Sequence, residues 1–228
     1  KCFITGGSRA GVLVIFALTE PEKGTKGMTA FIVESSYPGF SVGKIENKMG
    51  LCGSETAELI FEDCRVPAKN ILGKPGKGFK IAMMALDGAR IGVGAQGIGC
   101  AEGALDLAVK YAHEREQFGK PIANLQGIQW YLADMATKTE AAKALTLNAA
   151  ALRQAGKNIT KEAAMAKYYA SETAVEVANK ALQIHGGYGY MKEYAIERQY
   201  RDARIIPIYE GTSEVQKMVI SRAVINGK

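Results

Sequence analysis

The stretch that decides the fold covers residues 128–152, IQWYLADMATKTEAAKALTLNAAAL. Apolar residues recur in it every three or four positions, which is the spacing of one face of an α-helix. The positions on this face are Ile128, Tyr131, Leu132, Met135, Ala142, Leu145, Ala149 and Leu152. A second stripe follows at Ala163, Ala166, Ala170, Ala174, Val177, Ala178 and Leu182. Because the helical period begins near Gly78, we predict a bundle of long antiparallel helices for the second part of the chain.

The first 70 residues follow a different pattern. Short apolar runs at residues 12–18, 29–33 and 56–61 have the length of β-strands, and turn signals at residues 37–39 and 50–53 separate them. Strands followed by long helices are typical of an α+β fold. We therefore predict an antiparallel β domain in residues 1–70 and an up-and-down four-helix bundle in residues 71–228.

The composition is that of an ordinary globular protein, with 47% hydrophobic and 23% charged residues in a chain of 228. No apolar run approaches the roughly 20 residues of a membrane span. The net charge of +6 suits an anionic ligand, but the lysines and arginines are dispersed, so no nucleic-acid tract is predicted. The first five residues, KCFIT, already have the pattern of a strand, and we expect the chain to begin inside a longer protein.

The cysteines and histidines predict no metal site. Cys2, Cys52, Cys64 and Cys100 have no CxxC spacing, and the two histidines lie far apart in the sequence. The pattern also argues against a disulfide framework and favours a reducing compartment.

Residues 201–214, RDARIIPIYEGTSE, contain a candidate general base. Pro207 cannot continue a helix, so the backbone before Glu210 is predicted to be extended or turned. Ser213 and Gln216 have the spacing of a capping box, which predicts that a helix begins there. A carboxylate at such a junction can lose part of its solvent, as a general base requires. The alternative is a solvated loop carboxylate, and these residues alone leave both open.

Residues 92–97, GVGAQG, fit the GxGxxG pattern of dinucleotide-binding proteins. That pattern has its meaning only between a strand and a helix of a βαβ unit. Here it lies in a mostly helical stretch, so we reject a nicotinamide site and expect the small residues to admit close approach of another group.

Several segments, in order along the chain, carry a resemblance to a known family. They are KMG at 48–50, FED at 61–63, LDGAR at 86–90, REQFG at 115–119, LADM at 132–135, AAMAK at 163–167, QIHGG at 183–187 and IYEGTSEVQ at 208–216. Together they resemble the acyl-CoA dehydrogenases, flavoproteins that desaturate acyl-CoA thioesters, and most of all the short-chain (butyryl-CoA) members. The resemblance covers essentially the whole chain and implies part of the family's middle β domain followed by its C-terminal helical domain.

The resemblance implies FAD-dependent α,β-desaturation of short-chain acyl-CoA. Glu210 would remove the α-proton while a hydride goes to flavin N5, and an electron-transfer flavoprotein would take the electrons. Some family members carry the base immediately before the arginine of the LDGAR segment; here that position is Ala89, which cannot abstract a proton. The glycines near residue 92 would admit the acyl chain. The implied substrate-binding residues are Asp87, Gly88, Ala89, Arg90, Gln96, Tyr209 and Gly211.

The resemblance also implies the cofactor site and the assembly. The FAD-binding residues would be Phe3, Ile4, Thr5, Arg115, Gln126, Gln183, Ile184, His185, Gly186, Gly187, Thr212, Ser213 and Glu214. The implied assembly is a homotetramer, a dimer of dimers with FAD contacts across subunits. A bacterial member would be cytoplasmic and a eukaryotic one would lie in the mitochondrial matrix.

Three alternatives stay open. The first is an acyl-CoA oxidase on the same scaffold, which returns electrons to oxygen. The second is a relative of the family's alkylation-response branch that binds DNA. The third is that these 228 residues alone are inactive, because part of the acyl-CoA pocket of the family belongs to its N-terminal domain.

Overall fold

The computed structural model describes residues 1–227 and divides into two compact units, Lys1–Leu86 and a second unit that begins at Asp87. The strands of the first unit are β1 (Ile4–Thr5), β2 (Val12–Leu18), β3 (Met28–Glu34), β4 (Phe40–Ile45), β5 (Thr56–Phe61) and β6 (Ile71–Leu72). They form two antiparallel sheets with the strand orders β1-β5-β4 and β2-β3-β6. The central strands β3 and β5 are paired on both edges, and they supply buried residues such as Ala30, Val33 and Leu59.

The predicted strands at residues 12–18 and 56–61 are confirmed as β2 and β5, and the one at 29–33 lies inside β3. The strand β4 was not predicted. Its sequence, FSVGKI, includes Gly43 and Lys44, and much of the strand is exposed, so the apolar alternation is weak. Its place in the sheet comes from pairing with β5, which the sequence of the strand itself does not specify.

The rest of the chain is mainly helical. Its elements are α1 (Gly78–Glu114), β7 (Glu116–Gln117), β8 (Lys120–Pro121), α2 (Gln126–Gln154), α3 (Thr160–His185), α4 (Ala195–Ala203) and α5 (Ser213–Ile225). The α+β prediction is confirmed, and the four longer helices are α1, α2, α3 and α5, with the short α4 between the last two. The predicted domain limit after residue 70 stays a prediction; β6 continues the pairing with β3 to Leu72, and the first compact unit continues to Leu86.

The core of the helical unit is rich in alanine. Fully buried alanines line α1 at Ala101, Ala104, Ala108 and Ala112 and α3 at Ala170, Ala174, Ala178 and Ala181. Small side chains let helix backbones approach closely, and the larger Met135, Ile196 and Ile206 fill the remaining space. This packing positions α3 and α5 around the segment that contains Glu210.

The GVGAQG segment lies inside α1, as predicted. Its glycines serve helix packing: a Cβ at Gly94 would lie 3.1 Å from Thr146 Oγ1 in α2, and one at Gly97 would lie 2.8 Å from the carbonyl oxygen of Ala170 in α3. For these two glycines the predicted approach of an acyl chain is therefore wrong, because neighbouring helices occupy the space. A Cβ at Gly92 would meet nothing within 4 Å.

Within residues 1–227, no group of histidine, cysteine, aspartate and glutamate side chains has the arrangement of a metal site. In the same part of the chain, no helix combines the length and the apolar character that crossing a membrane requires.

Candidate active site

Glu210 lies in a short junction between α4 and α5. The chain turns through residues 204–209, as predicted from Pro207, and the amide of Ser213 closes the junction by donating to the carbonyl of Pro207 at 3.0 Å. Glu210 and Gly211 both have positive φ angles, 54° and 91°. A glutamate rarely adopts the left-handed region, because its Cβ crowds the backbone, so the surrounding structure must hold it there.

The cap of α5 differs from the predicted one. Thr212, not Ser213, is the N-cap residue, and its Oγ1 accepts from the amide of Val215 at 3.4 Å. Ser213 is the first helical residue and donates instead to the carboxylate of Glu172 on α3. Gln216 does not complete a capping box; its Nε2 donates to the carbonyls of Gly211 at 2.9 Å and Glu210 at 3.3 Å. Threonine and serine are both favoured N-cap residues, so the sequence alone did not exclude either of the two neighbours.

Glu210 is one of the side chains with a buried polar atom that has no hydrogen-bond partner. Among the residues that the structure describes, the side-chain atoms in this state are Glu210 Oε2, Arg90 Nε and Gln216 Oε1. Buried polar groups are nearly always satisfied, because leaving one unpaired costs about 1–3 kcal/mol. One carboxylate oxygen, one guanidinium donor and one amide oxygen are therefore free to meet a ligand.

Arg90 is held in place from α1. Its side chain is buried, and Nη1 donates to Asp87 Oδ1 at 2.8 Å, one helical turn earlier. Asp87 Oδ2 accepts in turn from the hydroxyl of Thr160 at 2.8 Å. Gly88 lies against Arg153, whose Nη1 is 3.4 Å from the Gly88 carbonyl oxygen, while Ala89 is exposed. Within the LDGAR segment, the ion pair with Asp87 thus fixes the position of the Arg90 guanidinium.

Tyr209 and Gln96 form a second pair beside the junction. The Tyr209 hydroxyl donates to Gln96 Oε1 on α1. Burial raises the pKa of Tyr209 above its usual value, and the nearby Glu210 carboxylate adds to the rise, while the bond to Gln96 opposes it. Tyr209 therefore stays a neutral phenol, whose ring lies in the cluster that packs against the core.

Five of the predicted FAD residues of the helical unit meet at a separate open cavity of about 580 Å³. Its lining includes Arg115, the run Ile184–Tyr188, Tyr111 and Met191. The His185 ring stacks on Tyr111 with a centroid distance of 4.3 Å, and burial lowers the pKa of His185, whose Nδ1 lies 2.8 Å from the Ala181 carbonyl oxygen. The Arg115 guanidinium lies 5.7 Å from the Tyr188 ring centroid. This wall offers a positive charge, aromatic faces and glycine backbone.

Some predicted residues lie elsewhere. Gln126 is the exposed first residue of α2, and Gln183 is exposed near the end of α3; the lining of the cavity includes neither. In the first unit, Ile4 and Thr5 line a cavity of about 350 Å³ together with residues of β2, while Phe3 is 71% exposed with a φ of 56°. Glu214 is exposed on the first turn of α5, and hydrogen bonds from its own amide and from Thr212 lower its pKa.

Two residues at the junction were missed by the sequence analysis as members of the site. Lys167 on α3 is fully buried and its Nζ donates to the Gly211 carbonyl at 2.8 Å, and Gln216 on α5 is fully buried as well. A lysine between Ala163 and Ala170, on the stripe that faces the core, was a usable signal, because lysine is seldom buried without a specific partner.

Comparison with protein families agrees with this architecture. Residues 1–64 match the family described as acyl-CoA dehydrogenase, middle domain, and residues 76–225 match acyl-CoA dehydrogenase, C-terminal domain. The chain therefore belongs to the acyl-CoA dehydrogenase family, a family of FAD-dependent oxidoreductases.

Several individual proteins are similar to this chain over nearly its whole length. The chain is 75% identical over 225 residues to the acryloyl-CoA reductase (NADH) of Anaerotignum propionicum, an alignment that covers 99% of this chain and 57% of that protein. It is 58% identical over 221 residues to a subunit of the caffeyl-CoA reductase–Etf complex of Acetobacterium woodii, covering 97% and 58%. The butyryl-CoA dehydrogenase structure from Megasphaera elsdenii superposes with a TM-score of 0.98 at 53% identity, covering 99% and 59%. The chain thus spans somewhat under three fifths of the length of these relatives.

The cavity fits the cofactor of the family. An arginine guanidinium matches phosphate geometry, and the ring pair of Tyr111 and His185 offers a flat face to an adenine-type ring. Side chains at Gly186 and Gly187 would meet no atom within 4 Å, so nothing blocks approach to the backbone there.

Proposed function

We propose that the protein desaturates short-chain acyl-CoA thioesters to their 2-enoyl-CoA products with FAD as cofactor, and that Glu210 is the base. The observation that carries the proposal is the unpartnered buried Oε2 of Glu210. Of the other side chains with such an atom, Gln216 contacts the Glu210 carbonyl, and the charge of Arg90 acts on Lys167, as that of Glu210 does. A free carboxylate oxygen that is withdrawn from water suits proton abstraction, because no other hydrogen bond competes for its lone pairs.

The proposed chemistry of this chain is proton transfer at the α-carbon of the thioester. Glu210 Oε2 takes the α-proton, and negative charge develops on the thioester oxygen. Preorganised donors must stabilise that charge, and we assign this role in part to the amide of Glu210. A Cβ at Gly211 would lie 2.6 Å from Gln216 Nε2, so the protein itself requires a glycine there. That the glycine also lets the substrate approach the backbone is part of the proposal.

Cofactor binding is assigned to the Arg115 cavity, to the N-terminal turn of α5 and to Phe3–Thr5 of the first unit. When bound, FAD supplies the acceptor for the hydride from the β-carbon. Thr212 is the N-cap of α5, and Ser213 and Glu214 are its first residues; at such a helix start, free amides and the helix dipole favour a phosphate. The resemblance to the family implies that Arg115 and the residues from Ile184 to Gly187 contact the FAD of a neighbouring subunit. A homotetramer is therefore part of the proposal.

The reductive direction is the second candidate. The 75% identical relative is an acryloyl-CoA reductase, and the same carboxylate can return a proton to the α-carbon of an enoyl thioester. The electron partner we propose is an electron-transfer flavoprotein, since the relative from Acetobacterium woodii is part of a reductase–Etf complex. Oxygen consumption during turnover would instead indicate an acyl-CoA oxidase.

The experiment uses the complete protein loaded with FAD. Under anaerobic conditions, bleaching of the flavin absorbance is followed after mixing with acyl-CoAs of graded length. We expect the fastest bleaching with three- or four-carbon chains, and a loss of about 10²- to 10⁴-fold in Glu210→Gln, because the amide cannot accept the proton. Glu140→Gln, an exposed carboxylate on α2, is the matched control and should bleach like the wild type. Undiminished bleaching in Glu210→Gln would exclude Glu210 as the base, and a preference for long chains would contradict the substrate class.

A further inference from the structure

Lys167 is a lysine buried in the middle of α3, with 0% of its surface exposed. An ammonium group without water is strongly unfavourable unless it is paired and hydrogen-bonded. Its Nζ donates to the carbonyl oxygen of Gly211 at 2.8 Å. The charge is therefore directed at the peptide group between Gly211 and Thr212, one residue beyond Glu210.

A second buried side chain reaches the same peptide group. Gln216 Nε2, from α5, donates to the Gly211 carbonyl at 2.9 Å and lies 3.3 Å from the Glu210 carbonyl. A carbonyl oxygen has two lone pairs, so Lys167 and Gln216 together saturate it. We call this arrangement of Lys167, Gln216 and the Gly211 carbonyl the carbonyl clamp.

The clamp acts on a backbone that would not hold its shape alone. Glu210 has a φ of 54° and Gly211 a φ of 91°. Such a conformation at a glutamate persists only when its surroundings determine it. If the clamp were removed, the peptide at residue 211 could rotate and the Glu210 carboxylate would change direction.

Charged groups from each neighbouring element face the ammonium. They are Glu172 on α3 itself, Arg90 on α1, Glu210 in the junction and Glu214 on α5. Burial lowers the pKa of Lys167 to about 8, although the three carboxylates oppose the change. Lys167 is therefore mainly charged at neutral pH and becomes neutral in alkaline solution.

We propose that Lys167 is a positioning residue for the base: its charged hydrogen bond to the Gly211 carbonyl fixes the backbone of Glu210 and so aims the carboxylate at the substrate. The assignment of Glu210 as the base rests on the proposed function, whereas the clamp is a property of the protein itself. A charged donor forms a stronger hydrogen bond than a neutral one, so the bond to the Gly211 carbonyl should weaken when Lys167 loses its proton. The Glu210 carboxylate should then be held less firmly in its direction.

The first test measures bleaching in the complete FAD-loaded protein. Lys167→Met keeps the length of the side chain without donor or charge, and Lys167→Arg keeps both. We expect Lys167→Met to lower the bleaching rate at saturating butyryl-CoA about 10- to 100-fold, the cost of misplacing a reacting group by about 1 Å. The half-saturating concentration should change little, and Lys167→Arg should recover most of the rate. Lys143→Met, a partly exposed lysine on α2, is the control and should match the wild type.

The second test follows backbone hydrogen exchange without any substrate. We expect faster exchange of the amides of residues 205–214 in Lys167→Met, and unchanged exchange there in Lys143→Met. This readout separates the two proposals. A wild type that does not bleach contradicts the proposed function, and exchange and bleaching in Lys167→Met that equal those of the wild type contradict the clamp.

The wild type supplies a test that does not depend on how the variants fold. Its bleaching rate should fall as the pH rises past about 8, where Lys167 loses its proton. In Lys167→Arg, the decline should move to higher pH, because a guanidinium keeps its proton there. A wild-type rate that stays constant to pH 10 would overturn the proposal.

Discussion

The Glu210 junction and the Arg115 cavity belong to the same helical unit but are built in opposite ways. The junction is partly buried, has two consecutive residues with positive φ, and contains Glu210 Oε2, one of the buried side-chain atoms without a partner in residues 1–227. The cavity is open to solvent, and its arginine is exposed beside aromatic rings and glycine backbone. A residue with a strained backbone thus lies where a proton would move, whereas the surface for recognition consists of an exposed charge, aromatic rings and glycine backbone.

We therefore expect substitutions in the two regions to have different effects. Changes at the junction should alter the rate of the chemical step and the stability of the fold, because the strained backbone is held by few contacts. Changes at the cavity should alter the affinity for the cofactor with little effect on stability.

Exchange of Arg115 for alanine should give the largest effect on affinity. Loss of a charge-assisted hydrogen bond costs about 1.5–3 kcal/mol, so the dissociation constant for FAD should rise about 10- to 100-fold. Titration of the apoprotein with FAD by fluorescence measures it. The rate of bleaching at saturating FAD should stay near that of the wild type, and Glu210→Gln should show the reverse pattern. Equal affinities in Arg115→Ala and the wild type would remove Arg115 from the cofactor site.

Exchange of Gly211 for alanine should have the second largest effect, in this case on stability. The new Cβ would lie 2.6 Å from Gln216 Nε2 on a backbone with a φ of 91°, so we expect a loss of about 1–3 kcal/mol in the free energy of unfolding. Gly187→Ala is the control, since its Cβ would meet nothing within 4 Å, and its stability should stay within about 0.5 kcal/mol of the wild type. Urea denaturation of both variants provides the measurement. Similar losses in the two would contradict the distinction between a strained and a relaxed region.

The pH dependence from His185 should be the smallest effect. Burial lowers its pKa in the folded state below the ordinary value of 6.5, so the unfolded chain binds more protons between these two pKa values. Stability should therefore be lost as the pH falls below about 6.5, by no more than about 1.4 kcal/mol per pH unit for one proton. His185→Phe keeps a ring against Tyr111 without a titrating group. Its melting temperature between pH 5 and 8 should vary less than that of the wild type; equal profiles would exclude His185 as a source of the dependence.

Local periodicity explains why much of the fold could be predicted. The stripe from Ile128 to Leu152 gave α2, and the runs at residues 12–18 and 56–61 gave β2 and β5, because each buries a face that its own sequence defines. The strand β4 could not be predicted in this way, since only its pairing with β5 makes it a strand. The N-cap of α5 was predicted at Ser213 instead of Thr212, because no local feature of the sequence distinguishes the two residues.

The candidate site was predictable in part for the same reason. Glu210 stands in a local pattern of proline, glycine and a helix start, whereas the carbonyl clamp joins residues 44 positions apart. No local pattern reports such a contact. The alanine stripe of α3 would have indicated that Lys167 is buried, but only the fold shows that it points to Gly211.

The contact between Gly97 and Ala170 has a consequence for how this protein tolerates random mutation. Even a single methyl group at Gly97 would press on the Ala170 carbonyl and shift α3, the helix that carries Lys167 one turn earlier. A substitution at Gly97 could thus disturb the carbonyl clamp without changing Glu210, Lys167 or any residue of the Arg115 cavity. In a screen of variants, such a glycine would score as an active-site residue although it contacts no substrate.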